Sequence, residues 1–254
     1  MDNAILTALL VSGVLRVIVV SKPNLPGAGK HIYVNYRKIW MDAQQYCQQH
    51  YTDLSSVGSV WEETQLNMAA GGRIEVLTWF GMHRDPTNLT GWKWSGGGYT
   101  TYIGTWGWDQ PSNGVGNVVV AIAWNLWYDM SPLNTCPFFC VQLIVVTESK
   151  TWEGALEYCR EQHTDLASLL SATELLQAQA ESTEAQTTTS YLWTGLVYLA
   201  DSWLWVNGDP LEYEGWPQGG AHLCPAWNLR CGAIGLTGLW ENRDCQERLS
   251  FICY

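Results

Sequence analysis

The eight cysteines are the most reactive side chains of this chain, and their spacing argues against metal or redox work. No Cys-x-x-Cys of a zinc ribbon is present. His222 and Cys224, taken with Cys231, come nearest to a zinc trio, but their spacing fits no usual pattern. Eight cysteines in a chain of this composition read instead as a disulfide framework built in an oxidising compartment. Hydrolytic and phosphoryl chemistry find no footing. There is no Gly-x-Ser-x-Gly, no His-Glu-x-x-His and no phosphate loop, and the five histidines are scattered. The chain therefore reads as non-enzymatic. A formal net charge of −11 with no Lys/Arg-rich run argues against nucleic acid and anionic membrane surfaces as partners. What is left is recognition. Sixteen Trp and twelve Tyr stand against four Phe, and Trp and Tyr join a polar tip to an apolar body, which suits half-buried surfaces and ligand platforms.

The elements that must carry these groups come in two copies. Lys150-Thr-Trp152-Glu-Gly-Ala155-Leu-Glu-Tyr158-Cys159, then Thr164-Asp165-Leu166, repeats Lys38-Ile-Trp40-Met-Asp-Ala43-Gln-Gln-Tyr46-Cys47, then Thr52-Asp53-Leu54, at a constant offset of 112 residues. Trp152, Ala155, Leu156 and Cys159 fall at i, i+3, i+4 and i+7, the apolar stripe of an amphipathic helix. A period this long means duplication of a whole domain, and each unit can bury its own core. The units are set at residues 30–141 and 142–254. Residues 1–21 read as a secretory signal peptide, with Ala4 to Val20 its apolar region and a retained signal anchor its rival. The protein is expected to be secreted, with no membrane contact once the signal is removed.

In each unit a first strand, His31–Val34 or Leu143–Val146, precedes the helix. A second helical stretch follows, Trp61–Ala70 or Ala172–Ser182, the first stopped by Gly71-Gly72. The pattern then turns β-like: Trp79-Phe-Gly81-Met82 matches Trp193-Thr-Gly195-Leu196, and Trp92-Lys-Trp94 matches Trp203-Leu-Trp205. Each unit then enters a Gly/Pro/Asn-rich, Trp-studded loop before two closing strands. Asn88-Leu-Thr90 is a glycosylation sequon placed in a loop.

These marks, with the closing Phe138-Phe-Cys140 and Phe251-Ile-Cys253, resemble the C-type lectin-like domain, twice in tandem over residues 30–254. The resemblance implies an α+β fold: two helices per unit, antiparallel sheets and a long irregular loop bearing the ligand site. It also implies the disulfides Cys47–Cys140 and Cys159–Cys253, and an inner Cys231–Cys245 in the second unit alone, since the matching positions of the first unit hold Val118 and Pro132. Cys136 and Cys224 are left to be free, to pair with each other, or to link two chains into an oligomer.

In sugar-binding members of that family the long loop and the next strand hold Ca2+, a hard cation wanting about six to eight oxygens. The resemblance places Gln110, Ser112, Asn117 and Asp129 at the metal positions of the first unit, with Asn113 as a further oxygen. One carboxylate among neutral oxygens implies weak Ca2+ binding at most. The Gln110-Pro111 form is similar to galactose-type members. The second unit reads Cys224-Pro225-Ala226, Arg230 and Trp240-Glu241-Asn242 at these positions, and no Ca2+ is expected there. Trp127 and Trp240 are expected to pin the loops from below, Trp108 and Trp227 to be exposed. The sequence thus points to carbohydrate binding with at most weak Ca2+ dependence through Gln110, Asn113, Asn117, Asp129 and Trp108. The alternative is a protein-interaction module that has lost sugar and calcium binding. The partner is a glycan or an extracellular protein.

Overall fold

A computed structural model describes residues 29–221 and 224–254. The signal segment read at 1–21 lies outside them. In the first unit the order is β1 (His31–Lys38), α1 (Trp40–His50), β2 (Asp53–Leu54), α2 (Val60–Ala69), β3 (Thr78–Asp85), β4 (Asn88–Trp94), β5 (Val119–Ala123), β6 (Leu126–Met130) and β7 (Cys136–Val141). The second unit repeats it, without a counterpart of the short β2, with β8 (Ile144–Lys150), α3 (Trp152–Gln162), α4 (Ala172–Glu184), β9 (Tyr191–Leu199), β10 (Ser202–Trp205), β11 (Cys231–Gly235), β12 (Trp240–Arg243) and β13 (Leu249–Cys253). Three strands, not two, follow each long loop. No described helix is long and apolar enough to cross a membrane.

The apolar stripe works as the periodicity implies: Trp40, Ala43 and Cys47 are the buried residues of α1, and Trp152, Ala155 and Cys159 those of α3. Each stripe is fixed by the same pair of indole bonds. Trp40 Nε1 donates to Phe80 O at 3.0 Å and Trp79 Nε1 to Lys38 O at 3.0 Å. In the second unit Trp152 Nε1 donates to Thr194 O at 2.8 Å and Trp193 Nε1 to Lys150 O at 3.0 Å. A buried indole keeps its N–H satisfied in this way. The glycine of each Trp-x-Gly sits where no side chain fits. A Cβ on Gly81 would lie 2.6 Å from Ser95 Oγ, and one on Gly195 2.9 Å from Leu166 O.

The first sheet runs β1-β7-β3-β5-β6, with β2 on β7 and β4 on β3. The second runs β12-β11-β9-β13-β8, with β10 on β9. Between the named strands pairing is antiparallel except for β3 with β7 and β9 with β13. Disulfides Cys47–Cys140 and Cys159–Cys253 tie the first helix of each unit to its last strand, and Cys231–Cys245 closes the second loop. Cys136 and Cys224 are both free thiols. Cys136 is buried in β7, and burial pushes its thiol up to about 11, so it offers no surface sulfur for an inter-chain bond; Cys224 is exposed.

The second helices of the two units meet end to end. Ser59 caps α2 by accepting from Glu62 N, and Ser171 caps α4 by accepting from Glu174 N, both at 3.2 Å. The glutamates reach back, Glu62 Oε2 accepting from Gly58 N at 2.6 Å and Glu174 Oε2 from Leu170 N at 2.7 Å. Both carboxylates are fully buried, and Lys30 Nζ lies between them, 2.6 Å from Glu174 Oε2 and 3.5 Å from Glu62 Oε1. His31 stands beside them. Trp61 Nε1 crosses to Asp209 Oδ1 at 2.9 Å, and Thr173 Oγ1 donates to Gly97 O at 3.0 Å. Only Gln142 and Leu143 separate β7 from β8, so the units abut without a linker.

Candidate functional site

The long loop of the first unit, residues 95–118, is anchored from below by Trp127 of β6. Its indole is fully buried against Phe80, with Tyr102 and Trp106 at its edges. Gly107 N donates to Trp127 O at 2.9 Å and Trp127 N to Thr105 O at 2.8 Å, which lays residues 105–107 alongside β6. Gly104 passes so close to the Trp127 ring and to Glu63 that a Cβ there would strike both.

Beyond that anchor the residues singled out in the sequence converge on Asp129, also on β6, whose side chain is fully buried. Asp129 Oδ1 accepts from Ser112 N at 2.7 Å and Ser112 Oγ at 2.9 Å, and Oδ2 accepts from Asn113 N at 2.9 Å. Gln110 Oε1 accepts from Asp129 N at 3.1 Å, and Asn117 Nδ2 donates to Ser112 Oγ at 2.9 Å. Gln110, Ser112, Asn113, Asn117 and Asp129 are thus one connected group. Trp108, two residues before Gln110, stands 93% exposed at its edge.

Arg84 lies in none of the motifs that mark the site in the sequence. It projects from β3 into the same group, with Nη2 3.1 Å from Asn113 Oδ1, 3.3 Å from Asn117 O and 3.7 Å from Asp129 Oδ2. Its guanidinium lies 4.8 Å from the centre of the Trp92 ring. A divalent cation does not fit these residues as they stand. Asp129 is the one carboxylate of the group, its oxygens already accept from the loop, and a guanidinium lies beside it.

In the second unit Trp240 fills the place of Trp127, fully buried under Trp205 and Trp216. Glu241 lies 3.7 Å from Arg243, and Asn242 Nδ2 donates to Leu229 O at 3.2 Å. Arg230 lies over the Tyr198 ring, and Trp227 is 83% exposed.

The profile described as the lectin C-type domain matches residues 36–142 and again 148–254. The chain belongs to this family. Its relatives include the secretory phospholipase A2 receptor of Oryctolagus cuniculus, 22% identical over 91% of this chain and 18% of the receptor. Lymphocyte antigen 75 of Homo sapiens is 22% identical over 84% of this chain and 14% of that protein. The chain therefore spans less than a fifth of these relatives' length. Among solved structures, human lithostathine matches with 24% identity and a TM-score of 0.39, over 44% of this chain and 88% of its own.

A second site-like group escaped the sequence reading: His31, Glu62 and Glu174, whose ligand-capable atoms lie within 4.8 Å of one another. Lys30 already supplies a cation between the two carboxylates. The available signal was the repeated Ser-x-x-Glu at 59–62 and 171–174, which marks both helix starts but not that they face each other. Asn88 opens β4 instead of lying in a loop, yet it is exposed, and its Oδ1 accepts from Thr90 Oγ1 at 2.9 Å.

Proposed function

We propose that this is a secreted, non-enzymatic recognition protein of two lectin-like domains, residues 30–141 and 142–254. It binds carbohydrate through the long loop of the first domain with at most weak Ca2+ dependence. The supporting observation is the convergence of Gln110, Ser112, Asn113, Asn117 and Asp129 beside a Trp108 that is 93% exposed. The amides and hydroxyl offer donors and acceptors for sugar hydroxyls, and an exposed indole can stack on the apolar face of a sugar ring. Trp108→Ala is expected to weaken retention on immobilised galactose or mannose at least about ten-fold, while EDTA changes wild-type retention little. Retention of the variant equal to wild type would remove the loop from the binding site.

A protein partner is the second reading. It is favoured by Trp227, 83% exposed on the other long loop, and by Val115, fully exposed on the first. Such apolar tips suit anchors of a protein interface. Absence of retention on any glycan surface, with Trp227→Ala abolishing capture of an extracellular partner, would decide for it. Any link between two chains is assigned to Cys224. Asn88 is proposed to carry a glycan, so expression in a eukaryotic secretory host should give a glycosidase-sensitive mobility shift. Asn88→Gln should abolish that shift, and a shift that survives would place the glycan elsewhere.

A further inference from the structure

We propose that the guanidinium of Arg84 is the resident cation of the first long loop. It holds residues 109–118 in their finished shape with no divalent ion. The inference goes beyond the recognition reading and does not depend on the ligand's identity.

Asp129 sets the requirement. Its side chain is fully buried, and a buried carboxylate without a compensating charge is strongly unfavourable. Arg84, itself only 10% exposed, lies on the acid's Oδ2 side at 3.7 Å. The same Nη2 reaches Asn113 Oδ1 at 3.1 Å and Asn117 O at 3.3 Å. A hard cation would want these same oxygens, one carboxylate, one amide and one main-chain carbonyl. One nitrogen bonds the amide and the carbonyl and stands within ion-pair distance of the carboxylate.

The position of Arg84 is fixed independently of the loop. It is paired with Trp92 in the β3–β4 ladder, and its guanidinium packs on the Trp92 face. The arginine is therefore built into the sheet, and the loop closes onto it. A metal ion would have to displace a charged group of its own sign from a pocket with one carboxylate to share.

Hydrogen exchange of residues 109–118 tests this without any ligand. In the wild-type protein the loop should exchange at the same rate in EDTA and in millimolar Ca2+. Arg84→Met, which keeps bulk against Trp92, should exchange there about ten-fold faster, while β5 keeps its wild-type rate and so reports an intact fold. Arg84→Lys keeps the charge but not the fork, and should also exchange faster than wild type if the methionine variant fails to fold. The proposal is overturned if Ca2+ slows wild-type loop exchange, or if the variants that fold exchange at the wild-type rate. A protein that binds no glycan at all can still pass or fail this test.

Discussion

Replacing Cys47 and Cys140 together by alanine is expected to lower the stability of the first unit by about 4–5 kcal/mol. The bridge spans 93 residues. In the chain-entropy account a loop of that length, once opened, gives the unfolded chain far more freedom than a short one. Removing Cys231–Cys245, which spans 14 residues, should lower stability by only about 3 kcal/mol. The comparison is sharper because the first unit has no inner bridge to fall back on: the strand register puts Val119, not Val118 as the sequence offset implies, at the place of Cys231, and Pro132 at that of Cys245. Both sulfurs of the long bridge are also fully buried between α1 and β7, so their removal adds a packing loss. Urea denaturation followed by tryptophan fluorescence should show the first unit melting ahead of the second in the Cys47/Cys140 variant. A loss no larger than that of the Cys231/Cys245 variant would mean that loop length does not govern these bridges.

Much of the scaffold was legible because it is written twice. The helix stripe, the Trp-x-Gly strand and the closing Phe-x-Cys each recur, and a repeated pattern of local spacing survives reading without coordinates. The buried anchors Trp127 and Trp240 and the exposed Trp108 and Trp227 were also assigned correctly from their order along the chain. Arg84 and Lys30 were not found, for a common reason. Each acts at long range, Arg84 on Asp129 and Lys30 on Glu174, and neither lies in a repeated motif. Spacing reports which face of an element a residue occupies. It says nothing of which distant face that residue meets. Around Asp129, spacing along the chain shows only a set of neighbouring oxygens. The group that matters most to that acid is a cation from another strand, and only the closing of the sheet brings it there.

The same long-range logic makes Lys30→Met the most damaging single substitution expected between the units. Lys30 is 4% exposed, and it is the cation that sits between the fully buried Glu62 and Glu174. Its removal leaves two carboxyl groups facing each other across the α2–α4 junction, and at pH 7 it should destabilise by about 3–5 kcal/mol. The pH dependence gives the diagnosis. Burial works to lower the Lys30 pKa, but Glu174 and then Glu62 raise it above its ordinary 10.5. Its stabilisation is therefore complete below that value and lost only as pH rises through the folded one. Burial first, and the Glu174 charge second, push Glu62 up to about 8 from an ordinary 4.5. Its contribution is complete below 4.5 and lost as pH rises through 8. Burial, then Lys30, pushes His31 down to about 3 from 6.5, so its contribution is complete above 6.5 and lost as pH falls. Asp209 adds its charge to the Lys30 environment from the second unit. Between pH 6.5 and 8 Glu62 is the member of this cluster that titrates. Wild-type stability should fall there by up to about 1.4 kcal/mol per pH unit, and Glu62→Gln should flatten that slope. The Lys30→Met loss should shrink on acidification to pH 5, because a protonated carboxyl needs no counter-ion. Urea titrations at pH 5, 7 and 8 measure both. A Lys30→Met loss under about 1 kcal/mol at pH 7, or one that grows on acidification, would show that the junction is not held by this charge.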